Sequence, residues 1–289
     1  MQLPLTTISG RVKTLDLSQP VVMGILNVTP DSFSDGGQYH ALDTAFEQAK
    51  KMVADGAKII DVGGESTRPG ACAVSLEEEL SRVIPIIKRI ATQLDVAISI
   101  DTSKAQVMRQ AIAAGAHIIN DVRALQEEGA LQAAADLAVP VCIMHMQGQP
   151  STMQDAPCYQ NVTTEVVAFL QQRIDECVNA GIKREHIILD PGFGFGKTLE
   201  QNYQLLADTS VFHQFDLPVL IGVSRKSMIG NLLQCDDSQR LAGSLACATV
   251  AAIDGVQILR VHDVRATADV LAIVAQLAKH SVSKPVEII

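Results

Sequence analysis

Eight times along the chain a short apolar run ends abruptly on a polar residue, and this repeat constrains the fold more than any other feature. The first instance is residues 21–37, VVMGILNVTPDSFSDGG. Its apolar part, 21–26, is long enough for one buried strand. The sequence then turns polar at Asn27 and is marked by Pro30, Asp31, Ser32, Ser34, Asp35, Gly36 and Gly37. An unbroken apolar run bounded by turn residues fits a parallel strand covered on both faces. The polar stretch exceeds a minimal strand-to-helix turn, and long loops in compact domains are commonly functional. Chemistry is therefore expected where the strand ends.

The other strand ends are Asp61, Asp101, Asn120, His145, Asp190, Ser224 and Arg260, making eight with Asn27. Helical patterns fill the gaps. One covers 45–54, and another runs from a capping box at Ser75 and Glu78 to about residue 91. A third is capped by Ser103 with Gln106, a long amphipathic one spans 161–180, and a small-residue one spans 241–253. The last carries Val264, Ala268, Leu271, Val274 and Ala278 on one face. Strands alternating with helices imply right-handed crossovers and a parallel sheet. Eight such units match a closed (β/α)8 barrel, with its site at the carboxyl ends of the strands. An open doubly wound sheet usually has fewer strands and gathers its contacts at one switch point. Polar groups follow every strand here, so the barrel is favoured. Residues 1–289 read as a single α/β domain, with 1–20 forming a small hairpin around Gly10 that closes one end.

Composition narrows the partners. A net charge of −9 and a pI near 5.2 argue against nucleic acid and anionic membrane, while leaving room for a local basic pocket. Six cysteines without a CxxC pair suggest neither a disulfide framework nor a zinc site, but small buried apolar residues in a reducing compartment. The start, MQLPLTTISGRVK, lacks the apolar core of a signal peptide, and no run approaches the roughly 18 apolar residues of a membrane span. The expectation is a cytoplasmic protein.

For the individual residues, a bland reading competes with a functional one. Asp61 and Asp121 read first as caps of the helices that follow. Asp101 and Asp190 directly end apolar runs, and Ser103 is available to cap after Asp101. Two carboxylates at one barrel mouth are costly unless they meet donors, which a ligand rich in N–H groups supplies. His117, at a strand start, reads as structural, and His145 as either. Arg260 and His262 point at one opening. No spacing suggests a tightly held transition metal. The stretch 192–198, GFGFGKT, fails both nucleotide templates: Pro191 stands where a Walker A loop needs glycine, and Lys197 where the dinucleotide fingerprint does. Its glycines fit close approach to a flat ligand, or a tight turn. Ser224, Arg225, Lys226 and Ser227 open a short helix and suggest an anion site. A Schiff-base role for Lys226 ranks low, because only Arg225 offers a like charge to depress its pKa. Arg68 adds a positive group in the second loop.

Taken together, the motifs GILNVTPDSFSDGG (24–37), DVGGESTRPGA (61–71), SIDTSK (99–104), HIINDVR (117–123), DPGFGFGK (190–197), GVSRKSMIG (222–230) and RVHDV (260–264) resemble the dihydropteroate synthases of folate biosynthesis. The resemblance spans nearly the whole chain, with the first two and last two stretches the most specific. It implies a TIM barrel that condenses 6-hydroxymethyl-7,8-dihydropterin diphosphate with p-aminobenzoate, works with Mg2+, and forms a homodimer through C-terminal helices. By carry-over, Asn27, Asp101, Lys226 and Arg260 are catalytic, and Asn27 is the metal ligand. The pterin diphosphate would meet Thr67, Asp101, Asn120, Asp190, Lys226, Arg260, Val261 and His262. The p-aminobenzoate would meet Phe33, Thr67, Arg68, Pro69, Lys226 and Ser227. The competing functions are a folate-dependent methyltransferase of the related pterin-binding barrels, which needs no diphosphate site, and a non-catalytic pterin-binding scaffold.

Overall fold

The computed structural model describes residues 1–5, 14–28, 37–66, 74–148, 152–154 and 156–280, with 37–40 by backbone alone. Eight strands among them lie parallel: β3 (Val21–Asn27), β4 (Ile59–Gly63), β5 (Ala97–Asp101), β6 (Ile118–Asp121), β7 (Val141–Met144), β8 (Ile187–Asp190), β9 (Leu220–Ile221) and β10 (Ile258–Val261). Their order is β8-β7-β6-β5-β4-β3-β10-β9. A parallel bridge between Leu189 and Val219 joins the two outermost strands, and the Leu189 N–H donates to Pro218 O at 2.8 Å. The cylinder is closed. That excludes the open sheet and realises the eight-unit barrel.

The helices alternate with the strands: α1 (Gly37–Ala54), α2 (Leu76–Gln93), α3 (Ala105–Ala114), α4 (Ala130–Leu137), α5 (Val162–Asn179), α6 (Leu199–Ala207), α7 (Ser227–Leu233), α8 (Leu241–Ile253) and α9 (Val264–His280). Successive strand residues point to opposite faces. Ile60, Val62, Ile98, Ile100, Ile119, Val141, Ile143, Ile187 and Leu189 therefore turn outward and join the helix core. Met23, Ile59, Ala97, Ile118, Cys142, Ile188, Leu220 and Ile258 turn inward and pack with Leu3, Leu5, Leu15 and Leu17. Leu3 and Leu15 face each other across an antiparallel pair, β1 (Gln2–Pro4) and β2 (Thr14–Asp16). This pair plugs one end of the barrel, as the N-terminal segment suggested, although Gly10 lies outside the described residues.

Helix starts depart more from their local signals. Ser75 accepts the Glu78 N–H at 3.2 Å, but the Glu78 carboxylate turns to Arg82, so only one arm of the capping box forms. Ser103 caps nothing. Lys104 is the N-cap of α3, without a side-chain bond, and the Ser103 hydroxyl donates to Asp121. Helix α1 begins at Gly37, well before the apolar spacing becomes visible. Cys142, Cys177 and Cys247 are buried as expected; Cys235 is half-buried, Cys158 is exposed, and Cys72 lies outside the described residues. No helix among the described residues is long and apolar enough to cross a membrane.

Candidate active site

Two residues beyond the apolar floor, five of the eight strands present a polar inward side chain. Ile59 gives way to Asp61, Ala97 to Ser99 and then Asp101, Ile118 to Asn120, Ile188 to Asp190, and Ile258 to Arg260. The period of two that builds the floor thus also gathers a ring of polar groups at the carboxyl end. Arg260 is its hub. Its Nε donates to Asp61 Oδ2 and its Nη2 to Asp101 Oδ2, both at 2.6 Å. Asn120 Nδ2 donates to the same Asp61 oxygen at 3.2 Å.

Burial sets the electrostatics. It drives the Asp101 carboxyl up to about 7; Arg260 pulls the other way, and Asp61, Asp121 and Glu79 add to the rise. Asp190 is also raised by burial, against the Gly192 N–H that its Oδ1 accepts at 2.7 Å and the nearby Lys226. Lys226 is brought down to about 8 by burial and by Arg260, with Asp190 opposing. Its ammonium sits 4.0 Å from the Phe195 ring centroid, a cation–π seat that fixes the direction of the side chain. Burial works against the charge of Arg260, but the carboxylates of Asp61 and Asp101 more than offset it, so this group stays cationic. Asn120, Asp190, Lys226 and Arg260 line one slot, walled by Val122, Met144, Phe193, Phe195 and Gly222. An acid-and-amide edge, two cations and flat apolar walls suit a planar heterocycle with N–H donors and an anionic tail.

The comparisons agree with that chemistry. The family model described as pterin binding enzyme matches residues 23–262. Dihydropteroate synthase of Escherichia coli (strain K12) is 58% identical over 261 residues, covering 90% of this chain and 93% of that protein. The chain belongs to the dihydropteroate synthase family. Dihydropteroate synthase of Yersinia pestis, solved in complex with a sulfonamide drug, superposes with a TM-score of 0.89 at 55% identity, covering 95% of this chain and all of that one. The Xanthomonas albilineans enzyme in complex with 7,8-dihydropteroate gives a TM-score of 0.87 at 45% identity, covering 98% of this chain and 100% of that one.

Set against the family pattern, the expected residues divide into three groups. Asn120, Asp190, Lys226 and Arg260 meet at the slot, and Asp101 is tied to it through Arg260. Asn27 stands at the tip of β3 on the same rim, where a Cβ built at Gly63 would lie 3.5 Å from Asn27 Oδ1 and 3.6 Å from Asp101 Cβ. Val261 does not belong with them. Its side chain turns outward into the helix core, leaving only its backbone for a ligand. His262 shares a hydrogen bond with Ser224 Oγ at 3.1 Å on the adjoining strand end, and Ser227 opens α7. Phe33, Thr67, Arg68 and Pro69 lie outside the described residues, as does most of 29–37 and 65–71.

Four readings need correction. Asp61 caps no helix: it is fully buried and answers Arg260 and Asn120. Its inward parity with Ile59 was the signal that could have found it. The donors that Asp101 and Asp190 require come in large part from the protein, through Arg260 and the Gly192 N–H. Arg225 is not part of an anion site, because its guanidinium is held by Asp263 through two bonds, 2.8 and 2.5 Å long; the like charge acting on Lys226 is Arg260. The glycine-rich stretch is shaped by protein rather than by ligand. Gly192 and Gly196 have φ of +74° and +64°, and a side chain on either would run into the His145 or Gln147 carbonyl.

Other polar residues near the barrel have structural roles. His117 is structural, accepting the Ile98 N–H at 3.0 Å. Asp121 caps no helix, since the N-cap of α4 is Gly129; it holds the turn after β6, accepting Arg123 and Leu125 N–H groups at 2.8 Å. His145 is packed edge-on to Phe169 and receives Lys197 Nζ at 3.0 Å; burial and Lys197 bring its pKa down to about 2. Lys197, itself brought down to about 7 by burial, also donates to Gly192 O and Phe195 O, which pins the loop carrying Phe195.

Proposed function

We propose that the barrel mouth joins 6-hydroxymethyl-7,8-dihydropterin diphosphate to p-aminobenzoate, releasing diphosphate and 7,8-dihydropteroate, with Asp101, Asn120, Asp190 and Lys226 holding the pterin. The observation that carries this reading is the convergence of an acid, an amide and two cations from four different strand ends on one flat-walled slot. A carboxylate accepts paired N–H bonds from a 2-amino-4-oxo pyrimidine edge much as it accepts an Arg fork. Lys226, steadied on Phe195, donates to a ring oxygen or nitrogen. The flat guanidinium of Arg260 is available both to the bicycle and to the diphosphate, which also meets Thr67, the Val261 backbone and His262. Phe33, Thr67, Arg68, Pro69, Lys226 and Ser227 receive p-aminobenzoate.

A hard cation suits this rim. Asn27 offers a neutral amide oxygen at the tip of β3, the type of ligand such a cation takes. Mg2+ held by Asn27 together with the diphosphate would neutralise charge on the leaving group. The C–O bond to diphosphate breaks, the electron-rich dihydropterin spreads the positive charge of the methylene carbon, and the aryl amine forms the new C–N bond and then sheds its proton. Arg260 takes up charge on the departing group as it develops. Closure of loops 29–37 and 65–71 would keep water from capturing the carbon.

We further propose a cytoplasmic homodimer through the C-terminal helices. The exposed large apolar residues Val250 and Ile253 on α8 and Ile273 and Leu277 on α9 support that surface. The deciding experiment measures diphosphate with each substrate alone and with both. Release only with both is expected, whereas transfer of a methyl group from a methylated folate, without diphosphate release, would replace this function with the methyltransferase one.

A further inference from the structure

We infer that Asp61 is a positioning residue for pterin capture: it is the standing counter-ion of Arg260 and the anchor of Asn120, and it leaves Asp101 free to serve the substrate. The inference rests on the pterin assignment above and adds to it a residue that no substrate can touch. Asp61 has 0% exposure and lies two residues before Gly63, the register partner of Asp101. Its Oδ2 accepts from both Arg260 Nε at 2.6 Å and Asn120 Nδ2 at 3.2 Å. Its Oδ1 has no partner among the described residues, so every hydrogen bond this carboxylate makes goes to two groups of the pterin slot.

The geometry explains why two acids share one arginine. A lone Asp101–Arg260 pair would close on itself, and an incoming N–H edge would have to break it. With Asp61 on Nε, the guanidinium stays compensated when Asp101 turns its oxygens to a ligand. The bond from Asn120 to Asp61 likewise sets the amide plane, leaving its oxygen pointing as an acceptor elsewhere. Asp61 also precedes Val62 and Gly63 on β4, whose tip lies beside Asn27 and Asp101, so the anchor sits under the whole rim.

The test is calorimetric binding of 6-hydroxymethyl-7,8-dihydropterin diphosphate to the full chain and to Asp61→Asn, which keeps shape and removes charge. We expect affinity to fall by about 10- to 100-fold, the value of a hydrogen bond to a charged group, while KM for p-aminobenzoate moves by less than about twofold. A purely structural Asp61 would lower the melting temperature and leave pterin affinity of the folded protein unchanged, and that result overturns the inference. Should the single variant not fold, the double variant Asp61→Asn with Arg260→Gln is compared with Arg260→Gln alone. Because Asp61 acts through Arg260 and Asn120, adding Asp61→Asn to Arg260→Gln should lower pterin affinity by less than about threefold; a further loss of about 10- to 100-fold would overturn the coupling. Failure of the pterin assignment itself would be distinct, since the unaltered chain would then bind no pterin diphosphate.

Discussion

The two ends of the barrel are made by the same strands, two residues apart, yet they follow opposite rules. At the closed end, Met23, Ile59, Ala97, Ile118, Ile188 and Ile258 meet the leucines of the N-terminal pair and need nothing but shape and volume. At the open end, Asp61, Asp101, Asn120 and Asp190 are nearly as buried, Lys226 and Arg260 are half-buried, and each depends on a particular partner. Apolar burial contributes whatever the identity of its neighbours. A buried charge is costly unless its donors and acceptors are present. The closed end therefore supplies stability, and the open end spends some of it on a pre-assembled binding surface.

The sharpest way to break this contrast is to damage the closed end alone. Replacing Ile59 with Ala should cost about 2–5 kcal/mol in stability, seen as a lower denaturation midpoint, with kcat/KM of the folded enzyme unchanged. A selective loss of kcat/KM would mean that the floor helps to shape the site. Next in size, Asp101→Asn should weaken pterin diphosphate binding by about 10- to 100-fold and shift the denaturation midpoint far less than Ile59→Ala does. Arg68→Ala should raise KM for p-aminobenzoate by about tenfold and leave pterin diphosphate affinity nearly intact, which a calorimetric titration with each ligand separates.

The smallest effect is a pH dependence confined to the open end. Asp101, raised by burial to about 7, must be ionised to accept N–H donors, so pterin affinity should fall as pH drops through that value. Lys226, lowered by burial to about 8, loses its charge as pH rises through that value, giving a second decline. Binding measured across this range should pass through a maximum between the two. A flat profile would show that neither charge state matters.

Much of this was legible in the sequence, for a physical reason. Apolar strands that end in polar residues leave little choice of architecture, and the strand tips Asn27, Asp101, Asn120, Asp190 and Arg260 could be counted directly. Asp61 was misread because a single Asp among apolar residues looks like a cap unless its parity with Ile59 is followed into the barrel. Ser103 misled in the other direction: a hydroxyl before a helix reads as a cap, but Asp121, distant in sequence, claimed it. Lys197 and Arg225 were invisible as structural cations, because His145 and Asp263 reach them only through the fold. Pairings across long sequence separations are what the local pattern cannot carry.

A crystal structure with bound 6-hydroxymethyl-7,8-dihydropterin diphosphate tests the central claim most directly. The account predicts the amino-oxo edge of the bicycle against Asp101, Asn120 and Asp190, with its plane between Lys226 and Arg260 and its diphosphate toward Asn27 and His262. A bicycle seated instead in the neighbouring cavity lined by Arg123, Gln126, Glu127 and Met146, with Asp190 and Lys226 untouched, would contradict it.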